Sequence, residues 1–203
     1  MLTPLTFVGD DVALMQALRA GHPGAAAAFY DRHAQHVHHT LYTALGADED
    51  LADLLQEVFI HALDQIDGLR DVEKVRGWLT SIAIFVARAQ IRLRARRSWL
   101  SIFSPEHTRP GLMEQPSLEA RRALREVYAV LDEFPVDERL AFVLRIVDGM
   151  TLTDAAEACA TSLATLKRRL ARAEKRFWEA ARKRPALELW LEKGERWNVQ
   201  TQG

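Results

Sequence analysis

The chain has 203 residues, of which 48% are hydrophobic and 27% charged, and its formal net charge is −1. This balance is typical of a soluble globular protein and excludes global disorder. The single cysteine, Cys159, excludes an intramolecular disulfide and a multi-cysteine zinc cluster. The first residues carry aspartates where a signal peptide has basic residues, and no apolar run approaches the roughly 20 residues of a membrane helix. We therefore expect a cytoplasmic protein without membrane insertion.

Two helices are predicted at the start of the chain. Asp10 or Asp11 can cap the first, which Gly21 ends, and Pro23 can begin the second, which Gly46 closes. The second helix contains four histidines in seven residues: His33, His36, His38 and His39. No carboxylate or thiolate lies at ligand spacing from them, so we predict neither a metal site nor a cofactor.

A third helix is predicted over residues 48–66, and its two sides differ. The side expected to face the core carries Leu51, Leu55, Val58 and Ala62. The other side carries a mixed acidic, amide and apolar stripe formed by Asp53, Gln56, Glu57 and Ile60. Such a stripe can dock a basic partner helix, or it can be a solvated face with one exposed isoleucine. Taken alone, the pattern favours the solvated face.

A long fourth helix is predicted from Val72 to about Arg97. Its expected apolar side carries Val75, Leu79, Ile82, Val86, Ala89 and Leu93, with the aromatic residues Trp78 and Phe85 nearby. Its C-terminal half is basic at Arg88, Arg92, Arg94, Arg96 and Arg97. Up to Phe85 the chain holds five basic and twelve acidic residues, so the sign of the charge reverses along this helix.

Residues 98–116 interrupt every helical period and carry three of the seven prolines, which predicts a flexible linker between two domains. The following helix begins at Ser117 and has core spacing at Leu124, Val127, Leu131 and Phe134. After Pro135, a helix over residues 136–148 has core spacing at Leu140, Val143, Leu144 and Val147. No segment alternates like a strand, so we predict an all-α protein with domains at 1–97 and 117–184 and a C-terminal extension at 185–203.

The end of the second domain has the outline of a helix-turn-helix. Thr151 or Thr153 can cap a short helix, the pair Ala160 and Thr161 can form a turn, and Ser162 can cap a longer helix. In this longer helix, predicted to reach residue 184, one stripe would face a core: Leu163, Leu166, Leu170, Ala173 and Phe177. Basic residues would lie on or beside the opposite face: Arg168, Arg169, Arg172, Lys175 and Arg176.

Positive charge is concentrated in this longer helix. Between Thr165 and Arg184 nine basic residues stand against two acidic ones, a local charge of +7 in a chain of −1. A basic helix can be only a solvated surface, but the helix-turn-helix spacing favours DNA binding. The candidate contacts are Ala164, Thr165, Lys167, Arg168 and Arg169 in the first turns, followed by Arg172, Lys175 and Arg176.

In this order, the segments resemble a bacterial sigma factor of the sigma-70 family, in the small extracytoplasmic-function (ECF) group that keeps only the second and fourth conserved regions. DLLQEVFIHAL, residues 53–63, is similar to the segment that grips a coiled coil of the polymerase β′ subunit. VRGWLTSIAIFVARAQIRLRARR, residues 75–97, resembles the helix that melts and reads the minus-ten element. Residues 131–177 resemble the region that binds the β flap and places its second helix in the major groove at minus thirty-five.

The resemblance implies a non-enzymatic factor that directs core RNA polymerase to promoter DNA, with an anti-sigma factor as a further candidate partner. It reverses the interpretation of the third helix and implies that polymerase is bound by Asp53, Gln56, Glu57 and Ile60. It also implies that the minus-ten element is bound by Trp78, Phe85, Arg88, Arg92 and Arg96. Two alternatives stay open: a sigma-like decoy for an anti-sigma factor, and an ordinary helix-turn-helix regulator.

Some positions depart from the family pattern. The family usually has an asparagine and, four residues later, an aspartate where this chain has Phe85 and Ala89. Phenylalanine cannot hydrogen-bond a base edge, but it can stack on an unpaired base. In the turn of the helix-turn-helix, where the family has a glycine, this chain has Ala160, which strains the backbone if the turn needs a positive φ. Where the family has an isoleucine in the first helix of this motif, the chain has Ala155. The chain is therefore identified as a divergent member.

Overall fold

The computed structural model describes residues 7–100 and 118–187. These residues form eight α-helices and no strand, which confirms the predicted all-α fold. The helices are α1 (Asp11–Arg19), α2 (Ala25–Leu45), α3 (Leu51–Asp64), α4 (Val75–Leu100), α5 (Leu118–Leu131), α6 (Val136–Phe142), α7 (Leu152–Ala158) and α8 (Leu163–Ala181). We call α1–α4 the N-terminal domain and α5–α8 the C-terminal domain.

Several predicted boundaries differ from those observed. A separate 3₁₀ turn, Val72–Lys74, precedes α4, which continues to Leu100, past the predicted start of the linker. Residues 101–117 and 188–203, and with them most of the predicted linker and C-terminal extension, lie outside the described residues. The longer helix of the helix-turn-helix ends at Ala181, and α3 is shorter than predicted at both ends.

Local signals account for several helix ends. The Asp10 carboxylate accepts a hydrogen bond from the Ala13 N–H at 2.8 Å, which satisfies one free donor at the start of α1. Gly46 ends α2 with a φ of 79°, a left-handed conformation that glycine adopts without steric cost. Thr151 and Ser162 cap α7 and α8 through their hydroxyls, which confirms the predicted helix-turn-helix.

Helix α4 lies at the centre of the molecule because it packs against both domains. Its N-terminal domain contacts are with α2 and α3, and its C-terminal domain contacts are with α6 and α7. Ala87 and Ile91 are consequently buried, whereas Ala89 and Leu93, predicted to be core, are exposed. The prediction chose the wrong side of the C-terminal half of α4 as its core-facing side, because the sequence does not show that the C-terminal domain also packs against this helix.

A π turn, Val143–Val147, replaces the last part of the α-helix predicted over residues 136–148. The Asp148 N–H donates to the Val143 carbonyl at 2.9 Å, a five-residue step. Because the extra residue rotates the following side chains about the axis, Val147 is exposed instead of lying in the core. Leu163 was also wrongly predicted as core; it is the first residue of α8 and lies ahead of the first buried position, Leu166.

The turn between α7 and α8 contains a left-handed alanine. Ala160 has a φ of 50°, the only positive φ of a non-glycine residue in the described ranges. We expect Ala160→Gly to raise the free energy of unfolding by about 0.5–1 kcal/mol, because relief of this strain exceeds the added entropy of the unfolded chain. Urea denaturation measures the change. Ala171→Gly, on the exposed side of α8, is the control and should destabilise; a loss of stability in Ala160→Gly as well would contradict the expectation.

Candidate polymerase and nucleic-acid interfaces

The mixed acidic, amide and apolar stripe on α3 is exposed to solvent along its whole length. Its four residues are all exposed, and Ile60 keeps 60% of its area accessible: Asp53, Gln56, Glu57 and Ile60. The opposite side of α3 buries Leu51, Leu55, Val58 and Ala62, as predicted. An exposed isoleucine among carboxylates offers apolar contact and negative charge to a basic partner surface.

An aromatic pair lies where α3 meets α4. Phe85 is 59% exposed, and the His61 ring lies nearly perpendicular to it, at 88° with 5.9 Å between the ring centroids. The His61 Nε2 is also 3.7 Å from the Glu57 carboxylate. Sequence reasoning identified Phe85 but missed His61, because no helical period relates residues on two different helices. The exposed Phe85 face can stack on an unpaired base.

The basic C-terminal half of α4 is only partly accessible to a binding partner. Arg92 and Arg96 are exposed, and Trp78 is half-buried. Arg88, in contrast, is covered by the C-terminal domain: its Nε lies 3.3 Å from the Asp137 carboxylate, and its Nη2 donates to the Cys159 carbonyl at 3.0 Å. A candidate DNA contact of the N-terminal domain therefore lies at the contact between the two domains.

Three arginines of α8 form ion pairs with carboxylates of α6. Arg169 Nη2 is 2.9 Å from an Asp137 oxygen, and Arg172 and Arg176 each place Nε 3.0 Å from the buried Glu138 carboxylate. Arg172 and Arg176 nevertheless keep 53% of their side chains exposed, whereas Arg169 keeps 23%. Charge pairing between α6 and α8 therefore covers Arg169 more than Arg172 or Arg176.

The first turns of α8 present the remaining candidates to solvent. Ala164, Lys167 and Arg168 are exposed, and Lys175 is exposed two turns further on. Thr165 is half-buried, and its hydroxyl accepts a hydrogen bond from Ser162 at 2.9 Å. These positions, together with the exposed Arg172 and Arg176, form the accessible part of the basic helix.

Three of the four clustered histidines of α2 contact different neighbours. His33 is buried and packs edge-on against Phe29, His36 Nε2 lies 2.9 Å from the Thr80 hydroxyl, and His39 Nε2 lies 2.7 Å from Asp148. Burial lowers the pKa of His33 and His36. Within residues 7–100 and 118–187, no cluster of three or more potential ligands could hold a metal ion.

The sole cysteine is buried at the end of α7, and burial raises the pKa of its thiol above the usual value. Cys159 is therefore protonated and a poor nucleophile at neutral pH. Among the described helices, none combines the length and apolar character needed to cross a membrane.

Family comparisons match both domains. The family model for Sigma-70 region 2 matches residues 29–97, and that for Sigma-70, region 4, matches residues 124–177. The chain is 32% identical over 135 residues to the ECF RNA polymerase sigma factor EcfG of Rhodopseudomonas palustris, an alignment covering 66% of this chain and 73% of that protein. It is 28% identical over 143 residues to the ECF RNA polymerase sigma factor SigX of Bacillus subtilis, covering 68% and 74%.

Two solved structures share the fold. One is CnrH in complex with the cytosolic domain of CnrY, with a TM-score of 0.59, 22% identity and coverage of 86% of this chain and 98% of that chain. The other is the sigma factor RpoE in complex with the anti-sigma factor NepR from Bartonella quintana, with a TM-score of 0.52, 21% identity and coverage of 84% and 93%.

The fold and the two matched regions define a helix-turn-helix initiation factor of the transcription machinery. The chain belongs to the sigma-70 family and, within it, to the ECF group. It directs RNA polymerase to specific promoters for transcription initiation. Sigma factors are DNA-binding initiation factors without enzymatic activity, which agrees with the prediction that the chain is not an enzyme.

Proposed function

We propose that the α3 stripe binds the β′ coiled coil of core polymerase and that the C-terminal domain contacts the β flap. The observation that carries the first assignment is the exposure of Ile60 beside Glu57, because an apolar anchor flanked by charge is typical of a docking surface. The predicted bounds, 1–97 and 117–184, are proposed as the two functional domains. The protein would act in the cytoplasm, where polymerase and promoter DNA meet.

The aromatic pair of Phe85 and His61 is proposed to hold an unpaired base of the melted minus-ten element. Phe85 supplies the stacking surface that the usual asparagine lacks, and the exposed Arg92 and Arg96 supply charge for the DNA backbone further along α4. Trp78 adds a second, half-buried aromatic surface nearer the start of the helix.

Phe85→Ala is expected to weaken binding of the polymerase complex to forked minus-ten DNA by about 5- to 100-fold, because stacking of one base contributes about 1–3 kcal/mol. Binding to fully paired DNA should change little, since its bases are not exposed. His61→Ala should have a smaller effect in the same direction. Leu93→Ala, an exposed apolar position on the same helix, is the control; equal effects at Phe85 and Leu93 would contradict the stacking role.

Helix α8 is proposed to lie in the major groove at minus thirty-five through its exposed first turns. Ala164, Lys167 and Arg168 are positioned to reach base edges, and Lys175 to follow the phosphates. Arg169, Arg172 and Arg176 pair with α6 carboxylates. Arg172 and Arg176 keep 53% of their side chains exposed and remain accessible to phosphates, whereas Arg169, which is 23% exposed, must leave Asp137 to contact DNA.

Base and phosphate contacts of α8 should be separable. Arg168→Ala is expected to reduce the preference for a matched over a mismatched minus-thirty-five element by about 5- to 100-fold, the effect of one bidentate arginine–guanine contact. Lys175→Ala should weaken binding to both fragments alike. It should also lower the slope of log affinity against log salt concentration by about one. Binding is measured on both fragments at several salt concentrations. Equal losses on both fragments for Arg168→Ala would remove the base-reading role.

An anti-sigma factor is proposed as a further partner, because the solved RpoE structure of the same fold contains one. The decoy alternative requires this partner but no polymerase. Co-purification of the chain with core polymerase separates the two functions.

A further inference from the structure

The four clustered histidines of α2 all line one cleft, to which the polymerase and DNA interfaces proposed above give no role. The cleft has a volume of about 710 Å³ and is formed by α2 with the start of α1 and the start of α4. Its charged lining residues are Asp11, Arg32 and Arg76, one from each of these helices. We call it the histidine cleft. Its volume lies in the range of small-molecule sites, about 300–1,000 Å³.

The charged side chains leave the cleft with an excess of positive charge. Arg32 is already paired, because its Nη1 lies 2.6 Å from the Asp11 carboxylate and its Nη2 donates to the Gly9 carbonyl at 2.6 Å. Arg76 is exposed and has no ion-pair partner among the described residues. With neutral histidines, two arginines therefore stand against one aspartate, and the surplus charge lies on Arg76.

The His36 ring orients the Arg76 side chain. His36 Nε2 lies 3.1 Å from the Arg76 carbonyl, which can only accept, so Nε2 carries the proton of the neutral ring. Nδ1 is then an acceptor, and Arg76 Nη2 lies 3.4 Å from it. Burial lowers the pKa of His36, which favours this neutral form. The contact directs the guanidinium to the cleft and leaves its other donors available.

His33 contributes a buried polar atom without a partner. The residue is 4% exposed, and its Nε2 has no hydrogen-bond partner among the described residues. The Asp11 carboxylate lies 4.0 Å away, which is beyond hydrogen-bond distance. Buried polar atoms in folded proteins are rarely left unpaired. Because His33 lines the cleft, an anionic oxygen bound there can accept a hydrogen bond from Nε2–H.

We propose that the histidine cleft binds a small phosphorylated molecule, whose phosphate accepts hydrogen bonds from the Arg76 guanidinium and from His33 Nε2–H. The planar fork of a guanidinium matches the oxygens of a phosphate, and Arg32 supplies a second positive charge. The cleft is separate from the basic half of α4, since Arg76 and Arg92 lie about 24 Å apart along the helix at 1.5 Å per residue. Its concave shape encloses a small ligand better than a DNA backbone.

Isothermal titration calorimetry of the full-length protein tests the site with inorganic phosphate, pyrophosphate and ADP, and with adenosine as the uncharged probe. Saturable binding is expected for the phosphate-bearing probes and not for adenosine. Tighter binding of ADP than of pyrophosphate would assign the cleft to a nucleotide, and equal binding would assign it to the phosphate groups alone. Either result supports the site.

Arg76→Gln is expected to weaken binding of these probes about tenfold or more, because it removes a charge-assisted hydrogen bond. Arg70→Gln is the matched control. It removes the same charge from an exposed arginine that lies close by in the chain but does not line the cleft, and it should keep wild-type affinity.

Two further variants test the roles of the other lining residues. Asp11→Asn should bind about three- to tenfold more tightly, since it removes the negative charge that competes for Arg32. His33→Leu should bind about tenfold more weakly, with its helix content checked by circular dichroism. If His33→Leu does not fold, the opposite effects expected of Arg76→Gln and Asp11→Asn still decide the proposal.

The absence of saturable binding of every phosphate-bearing probe would overturn the site, and so would equal losses in Arg76→Gln and Arg70→Gln. Single-stranded promoter DNA serves as a competitor. If it displaces the bound probe, and Arg76→Gln weakens DNA binding as much as probe binding, the cleft is a contact for the DNA backbone and the small ligand is ruled out. These titrations use no polymerase, so a chain that initiates transcription normally but binds no probe would retain the proposed function and lose only this site.

Discussion

Arg139→Met is expected to lower the free energy of unfolding by about 3–5 kcal/mol, because a buried, charged donor with several hydrogen bonds is removed. Arg139 is the largest fully buried side chain of the described residues. It donates to the Ala44 and Leu45 carbonyls and pairs with Asp132. Methionine keeps much of the volume but supplies no donor, so both carbonyls lose their partner in a site that water does not reach.

Urea denaturation followed by circular dichroism measures this loss. Arg125→Met is the matched control, because Arg125 lies exposed on α5 and should tolerate the change within about 0.5 kcal/mol. The Arg139 variant should also unfold less cooperatively, since α2 and the C-terminal domain lose their main polar link. Similar stabilities of the two variants would show that packing alone holds the domains together.

Glu57→Arg is expected to weaken binding to core polymerase by about tenfold or more, because it places positive charge in the centre of an acidic docking stripe. The fold should be unaffected, since Glu57 is exposed and its carboxylate lies no closer than 3.7 Å to the His61 imidazole. Ile60→Asp should weaken binding as well, by removing the apolar anchor.

The control for this prediction is Glu73→Arg, an exposed charge reversal in the 3₁₀ turn before α4 and outside the stripe. Affinity is measured by titrating labelled protein with core polymerase. If Glu57→Arg and Ile60→Asp each keep wild-type affinity, the polymerase contact lies on another surface.

The polar stripe of α3 shows how far sequence reasoning reaches. Helical periodicity placed Asp53 and Ile60 on one side and Val58 on the other, and the structure agrees. The pattern by itself could not tell a docking surface from a solvated face, since both require the same exposure. The resemblance of residues 53–63 to the polymerase-binding segment of sigma factors, not the periodicity, is the basis for the partner proposed for that stripe.

Helical periodicity gave the wrong core residues in α4, which packs against helices of both domains. The apolar arc of α4 was predicted with Ala89 and Leu93, but Ala87 and Ile91 are buried because α6 and α7 cover that side. The π turn after Phe142 was equally invisible, because periodicity assumes an uninterrupted helix, and Val147 is exposed as a result.

The sequence by itself determined the all-α fold, the helix-turn-helix and the helix caps, because these depend on interactions between residues a few positions apart. Thr151 and Ser162 each bond a backbone N–H three residues ahead, so the segment contains all the information. Only the tertiary structure decided that Asp137 binds Arg88 and that Arg139 binds the end of α2, across 49 and about 95 residues. A local pattern shows that a charge is present, but the choice of its partner depends on how the helices pack in three dimensions.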